Sequence, residues 1–158
     1  MNKETIVLGL GNPLMGDEGI GVKVIELLQS ASGDLPGADF VDAGTGGMSL
    51  LHLIAGRKRA IVIDCALMGS KPGMLRRFRP EEVQTVKELT HLSLHEVDIL
   101  KVIELARQLG ECPEDIVFFG IEPETIEQRM ALSDCLAERL DEYVAAVKRE
   151  IVRGVKAG

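Results

Sequence analysis

The chain has 158 residues, 46% of them hydrophobic and 27% charged, and a formal net charge of −7. One compact domain spanning residues 1–158 is expected at this length, and the composition excludes disordered, collagenous and coiled-coil classes. The acidic balance argues against a nucleic-acid groove or an anionic membrane surface as partner, since both would repel it.

In chain order, Thr5 to Gly11 (TIVLGLG) reads as a buried strand ending in a glycine turn, and Ile20, Val24, Leu27 and Leu28 follow at helical spacing. Residues 30–38 read as a polar surface loop. Asp39 to Ala43 reads as a second strand, Met48 to Ile54 as a short helix closed by Gly56, and Arg59 to Cys65 as a third strand. Gly73 to Arg79 predicts a more exposed strand, and Pro80 to Val83 one turn of helix. Ser93-Leu-His-Glu96 matches the capping box, in which Ser93 caps a helix start and Glu96 returns to its amide, so a helix over about 94–109 ends at Gly110. Asp115 to Ile121 is the last buried strand, and Leu132, Leu136, Leu140, Val144, Val147 and Ile151 mark a C-terminal helix begun at Ser133. Alternating strands and helices, with nearly continuous apolar strands, predict an α/β fold: a three-layer α/β/α sandwich around a mostly parallel twisted sheet of about five strands.

No apolar run approaches the roughly 18 residues a membrane span needs. Cys65, Cys112 and Cys135 are an odd number without a Cys-x-x-Cys pair, so buried, reduced thiols in a cytoplasmic protein are expected.

The glycine-rich segment 9–21 does not fit a phosphate site. Leu14 stands where the third glycine of a dinucleotide fingerprint would be, and Asp17 and Glu18 replace the lysine and hydroxyl residue that follow a Walker spacing from Gly11 to Gly16. Two carboxylates repel phosphate and suit a cation. Acids recur after the other strands, as Asp42, Asp64 and Glu122, where the loops leaving the carboxyl ends line the usual crevice of an open sheet. Asp17, Asp42 and Glu122 serve equally well as helix or turn caps. Asp64 is delivered straight from a buried strand, where a carboxylate requires a partner, a proton or a metal.

Of the histidines, His52 on a short helix and His91 in a polar loop read as ordinary side chains. His95 lies in the first turn of a helix, whose dipole disfavours imidazolium and keeps the ring neutral, as a metal ligand requires. Glu18, Asp64 and His95 therefore form a candidate three-point site for a divalent metal with open positions. No short histidine or cysteine spacing enforces that reading, and a set of structural caps remains its alternative. The basic clusters Lys58-Arg59 and Arg76, Arg77, Arg79 read as solvated faces, with contact to a partner as the minor alternative. A covalent protease is disfavoured, because Ser49 and Ser70 lie in no nucleophile-elbow motif and Cys65 follows Asp64 rather than a cation.

Five elements together resemble the hydrogenase maturation peptidases: Gly9 to Gly21 (GLGNPLMGDEGIG), Asp42 to Met48 (DAGTGGM), Ile63-Asp-Cys-Ala66, Ser93-Leu-His-Glu96 and Phe119-Gly-Ile-Glu-Pro123. The resemblance implies an endopeptidase that removes a C-terminal extension from the precursor of the nickel-iron hydrogenase large subunit after nickel insertion. It implies that Glu18, Asp64 and His95 bind metal, taken as nickel carried by the substrate, or another divalent metal at the same place. Asp17 or Asp42 is then a candidate general base for the attacking water. A monomer is expected. Two other functions share these residues: a self-sufficient metallopeptidase or amidohydrolase with its own metal, and a metal-sensing or delivery module that binds the precursor without cutting it.

Overall fold

The computed structural model describes residues 2–31, 33, 35–82 and 94–157, the side chains of 94–98 and 154–157 excepted. Five strands are present: β1 (Thr5–Leu10), β2 (Ala38–Gly44), β3 (Arg59–Cys65), β4 (Leu75–Phe78) and β5 (Asp115–Ile121). The helices are α1 (Ile20–Ser30), α2 (Ser49–Ile54), α3 (Leu94–Gln108), α4 (Asp134–Ala137) and α5 (Leu140–Ala157), with 3-10 turns at Gly16–Gly19 and Pro80–Glu82. The sheet order is β2-β1-β3-β5-β4. All neighbours are parallel except β4, which runs antiparallel to β5 at one edge.

Because side chains alternate along a strand, the sheet feeds two cores. Ile6, Leu8, Leu10, Val62 and Phe118 pack under α2 and α3 through Leu50, Ile54, Ile99, Val102 and Ile103. On the other face Val7, Ile61, Ile63, Val117 and Phe119 pack against Ile20, Val24 and Leu28 of α1 and Tyr143, Val147 and Ile151 of α5. This is the three-layer architecture the alternation predicts. The chain leaves β1 through α1 to reach β2 on one side, then crosses through α2 to place β3 on the other, so the sheet has its switch point between β1 and β3. Such a point opens a crevice at the carboxyl ends of the strands.

The first helix is pressed onto that crevice by a glycine crossing. A Cβ on Gly21 would lie 2.3 Å from the Ile63 carbonyl oxygen and 2.5 Å from that of Leu10, and one on Gly9 would lie 2.4 Å from the Gly21 oxygen. Only the absence of side chains lets α1 approach so closely.

Several expectations need correction. The C-terminal helix is two helices. Ser133 does cap the first, accepting from the Leu136 amide at 3.5 Å, but the Arg139 amide bonds the Leu136 carbonyl three residues back, which tightens the chain before α5. At that turn Cys135 and Arg139 wrap Gly73, where a Cβ would stand 3.1 Å from both side chains, and the Tyr143 hydroxyl donates to the Gly73 carbonyl at 2.7 Å. Burial pushes the Tyr143 phenol up to about 12. Residues 30–38 are not wholly a surface loop, since Leu35 is buried in the core under α1.

Nor are all of the basic residues unpaired solvated faces. Arg59 is buried and pairs with Asp115 at 2.6 Å and with Glu150 at 2.7 Å, while Arg77 joins Glu150 at 2.8 Å and Arg79 joins Asp115. Lys58, Arg76 and Arg77 do remain exposed. Arg59, at the start of β3, and Arg77, on β4, both reach the buried Glu150. Of the thiols only Cys65 is buried, with Cys112 and Cys135 half-buried. Among the described residues no helix is long and apolar enough to cross a membrane.

Candidate functional site at the switch point

The carboxyl ends of β1 and β3 meet at Gly11. Its φ of +130° is one that side chains rarely adopt, and its amide donates to the Gly44 carbonyl at 2.7 Å. A Cβ there would fall 1.9 Å from the Glu18 carbonyl oxygen and 3.8 Å from Asp64 Oδ1. The backbone of Glu18 and the carboxylate of Asp64 thus converge on one glycine. The intervening residues turn on Asn12, whose Oδ1 accepts from the Leu14 amide at 3.0 Å and whose carbonyl accepts from Met15. The chain then enters the turn Gly16–Gly19, which packs against β3.

Asp64 is 4% exposed near the end of β3, and its Oδ1 accepts from the Cys65 amide at 2.8 Å. Glu18 is half-buried. Glu18, Asp64 and Cys65 each take part in further interactions. His95 is the second residue of α3. The Gly56 amide donates to the Glu111 carbonyl just past that helix, which fixes the end of α3 near the start of β3. The helix therefore runs antiparallel to the strands and its first turn returns to their carboxyl edge. The His95 side chain, His91 and the Ser93–Glu96 capping box lie outside the described residues. Among the described residues no group of three His, Cys, Asp or Glu side chains could hold a metal ion.

The other acids of this edge are tied to the backbone. Asp17 is fully buried and accepts four hydrogen bonds: Oδ1 from the Ser133 amide at 2.7 Å, and Oδ2 from the amides of Glu124 and Thr125 at 2.8 and 3.0 Å and the Ser133 hydroxyl at 2.8 Å. Burial alone would raise its pKa, but the donors from Thr125, Ser133 and Glu124 outweigh that and hold the carboxyl below its ordinary value. Glu122 is buried and its Oε1 accepts from the amides of Met68 at 2.8 Å and Ser70 at 2.9 Å. Asp42 is exposed, and its Oδ1 closes a turn onto the Gly44 amide at 2.9 Å.

The anchoring of Asp17 to residues 124–133 was not legible in the sequence, because its donors lie more than a hundred positions away and three of the four are amides that any residue supplies. The thiols offer no activated nucleophile in Cys112 or Cys135, since burial raises the pKa of each. His52 is exposed on α2, as expected.

Residues 22–150 match the family model for hydrogenase maturation protease. The chain is 35% identical to the hydrogenase expression/formation protein HoxM of Cupriavidus necator over 77% of its own length, and spans 60% of that protein's length. It is 34% identical to the hydrogenase 2 maturation protease of Escherichia coli K12, covering 96% of this chain and 93% of that one. Among solved structures, the hydrogenase maturating endopeptidase HybD of Escherichia coli superimposes with a TM-score of 0.84 and 28% identity, covering 98% of this chain and 94% of that one. With a shared fold along nearly the whole chain and a family model matched from the first helix to the last, the chain belongs to the hydrogenase maturation protease family.

Proposed function

We propose that the chain is an endopeptidase that removes a C-terminal extension from the nickel-loaded precursor of the nickel-iron hydrogenase large subunit. Glu18, Asp64 and His95 receive the nickel, which arrives as part of the substrate, and so hold the scissile peptide at the carboxyl edge of β1 and β3. The observation that carries this reading is the convergence of Glu18 and Asp64 on Gly11 at the switch point of the sheet. Family membership and the course of α3, which returns its first turn to the same edge, support it.

In this mechanism the two carboxylates and a neutral imidazole anchor the metal of the substrate, a donor set suited to a first-row divalent ion. Anchoring turns attack by water into a reaction at a fixed geometry. Of the acids considered for general base, Asp17 has both oxygens committed to donors and a depressed pKa, so the role passes to the exposed Asp42. The chain acts as a monomer in the cytoplasm, in keeping with an odd number of cysteines and no Cys-x-x-Cys pair.

The test is to incubate the purified protein with nickel-loaded precursor and weigh the large subunit. Loss of a C-terminal peptide is expected, and Glu18→Gln, Asp64→Asn and His95→Gln should each abolish it while retaining the fold. An unchanged mass with the unaltered protein refutes the reading and favours a binding or delivery module. Metal retained by the purified protein and required for cleavage would instead make it a self-sufficient metallopeptidase.

A further inference from the structure

Large apolar side chains left in water are unevenly placed on this molecule. Eight are exposed among the described residues, and Leu109 and Val152 are the two that lie elsewhere. The other six, Leu14, Met48, Leu67, Met74, Ile126 and Met130, lie in the loops that leave β1, β2, β3 and β5 or that enter the antiparallel β4. All of these loops stand at the carboxyl edge of the sheet, which also carries Glu18 and Asp64.

Three of the six sit on a built ledge. Met15 and Arg129 form an isolated parallel bridge. The Arg129 amide donates to the Leu14 carbonyl at 3.0 Å, and the Gly16 amide donates to the Arg129 carbonyl at 2.8 Å. Behind this bridge the Asp17 amide donates to the Thr125 carbonyl at 3.1 Å, and the Asp17 carboxylate gathers the amides of Glu124, Thr125 and Ser133. Two loops distant in sequence are thereby fixed to each other, and on them Leu14 is 54% exposed, Ile126 43% and Met130 83%. A backbone so fully paired keeps these three exposed apolar side chains on two joined loops, and large apolar side chains gathered in this way mark a binding surface.

We infer that this ledge receives an extended apolar segment of the precursor polypeptide next to the scissile bond. The inference rests on the proposed peptidase reading, because the occupant is identified by the continuity of the ledge with the proposed site: Leu14 precedes Glu18 by four residues, and the turn bearing Glu18 is hydrogen-bonded to the loop bearing Ile126 and Met130. Charge agrees with it. The two joined loops carry Glu18, Glu124 and Glu127 against Arg129, a balance that disfavours an acidic peptide. Methionine at the most exposed position suits a surface that adapts to a flexible chain.

The experiment compares Met130→Glu and Leu14→Ser with the unaltered protein. Both positions are exposed, so the fold should survive, and thermal melts check that. With nickel-loaded precursor as substrate, each variant should raise KM about tenfold with kcat within about twofold, the signature of lost substrate binding rather than lost chemistry. Binding of nickel-free precursor, followed by calorimetry, should weaken by the same factor in these two variants and stay unchanged in Leu109→Ser, an exposed apolar position away from this edge. Unaltered KM and unaltered binding of nickel-free precursor overturn the inference. So does concentration-dependent self-association of the unaltered protein that Met130→Glu abolishes, because a second copy would then cover the ledge. Failure of the unaltered protein to cleave strikes the peptidase reading instead, while the binding measurement still decides the ledge.

Discussion

Replacing Asp17 by asparagine exchanges one carboxylate oxygen for an amide nitrogen at the centre of the loop framework beneath the candidate site. The asparagine oxygen can take the place of Oδ2 and keep the bonds from Glu124, Thr125 and the Ser133 hydroxyl. The amide nitrogen then faces the Ser133 amide, donor against donor, where Oδ1 had accepted at 2.7 Å. A hydrogen bond to a charged group contributes about 1.5–3 kcal/mol, and the three that survive lose their charge assistance, so about 3 kcal/mol of stability should go. For a chain of this length that corresponds to a fall in melting temperature of roughly 6–12 °C. Asp17→Ala is harsher, since it leaves three amides and a hydroxyl without an acceptor in a site closed to water. Urea unfolding at neutral pH, followed by circular dichroism, measures both. The pH dependence has a definite sign. The folded pKa of Asp17 is held below 3.8, so its stabilisation is complete above the unfolded value and disappears as pH falls through the folded one. The gap between the unaltered protein and Asp17→Asn should therefore narrow in acid. A neutral-pH difference below about 0.5 kcal/mol, the ordinary range of surface substitutions, would refute the reasoning.

Gly11→Ala should displace the turn bearing Glu18, because its Cβ would overlap the Glu18 carbonyl oxygen; precursor processing should fall by more than tenfold, and a fully active variant would remove Gly11 from the site geometry. Glu150→Ala should cost about 1.5–3 kcal/mol in urea unfolding, as it removes one of the two carboxylates that the buried Arg59 pairs with and leaves Asp115 as the other. Glu150 and Asp115 should both release stability on acidification: burial opposes their ionisation, but their arginine partners hold both pKa values below the ordinary ones. Stability should thus decline as pH drops below about 4.5, and a flat stability curve between pH 5 and pH 3 would contradict this. Cys65→Ala should keep most of its processing activity at a small cost in melting temperature, whereas inactivity with a normal melt would reinstate a thiol mechanism.

The strands of this fold are legible because burial on both sheet faces writes itself into continuous apolar runs such as Ala60 to Ile63 and Ile116 to Phe119. Less of the C-terminal region was legible. The apolar spacing from Leu132 to Ile151 is helical throughout, and the tightening at Arg139 arises from packing around Gly73, a residue 66 positions earlier. The arginines misled for a similar reason: a run such as Arg76 to Arg79 gives no sign that Glu150, on the last helix, will be buried against Arg77. Local pattern reports local geometry and exposure, while partners at long sequence separation come only with the fold.

The acids of the carboxyl edge show the same division at the site itself. In sequence Asp17, Glu18, Asp42, Asp64 and Glu122 are each a carboxylate at or just past a strand end, and only Asp64, delivered straight from a buried strand, stands apart. The fold sorts them by the backbone donors around them. Asp17 and Glu122 are buried and accept from amides of loops they hold in place, and a carboxylate so engaged stabilises structure instead of waiting for a ligand. The two that converge on Gly11, Glu18 and Asp64, are positioned by that framework. Asp17, the neighbour of Glu18 in the chain, is buried and bound to the 124–133 loop, so adjacent residues divide the duties there: Asp17 fastens the loop, and Glu18 is presented from it. It follows that conservative changes at Asp17 should act on Glu18 through geometry. Partial loss of processing by Asp17→Asn should thus scale with its loss of stability, and a fully folded, fully inactive Asp17→Asn would instead give Asp17 a direct part in the chemistry.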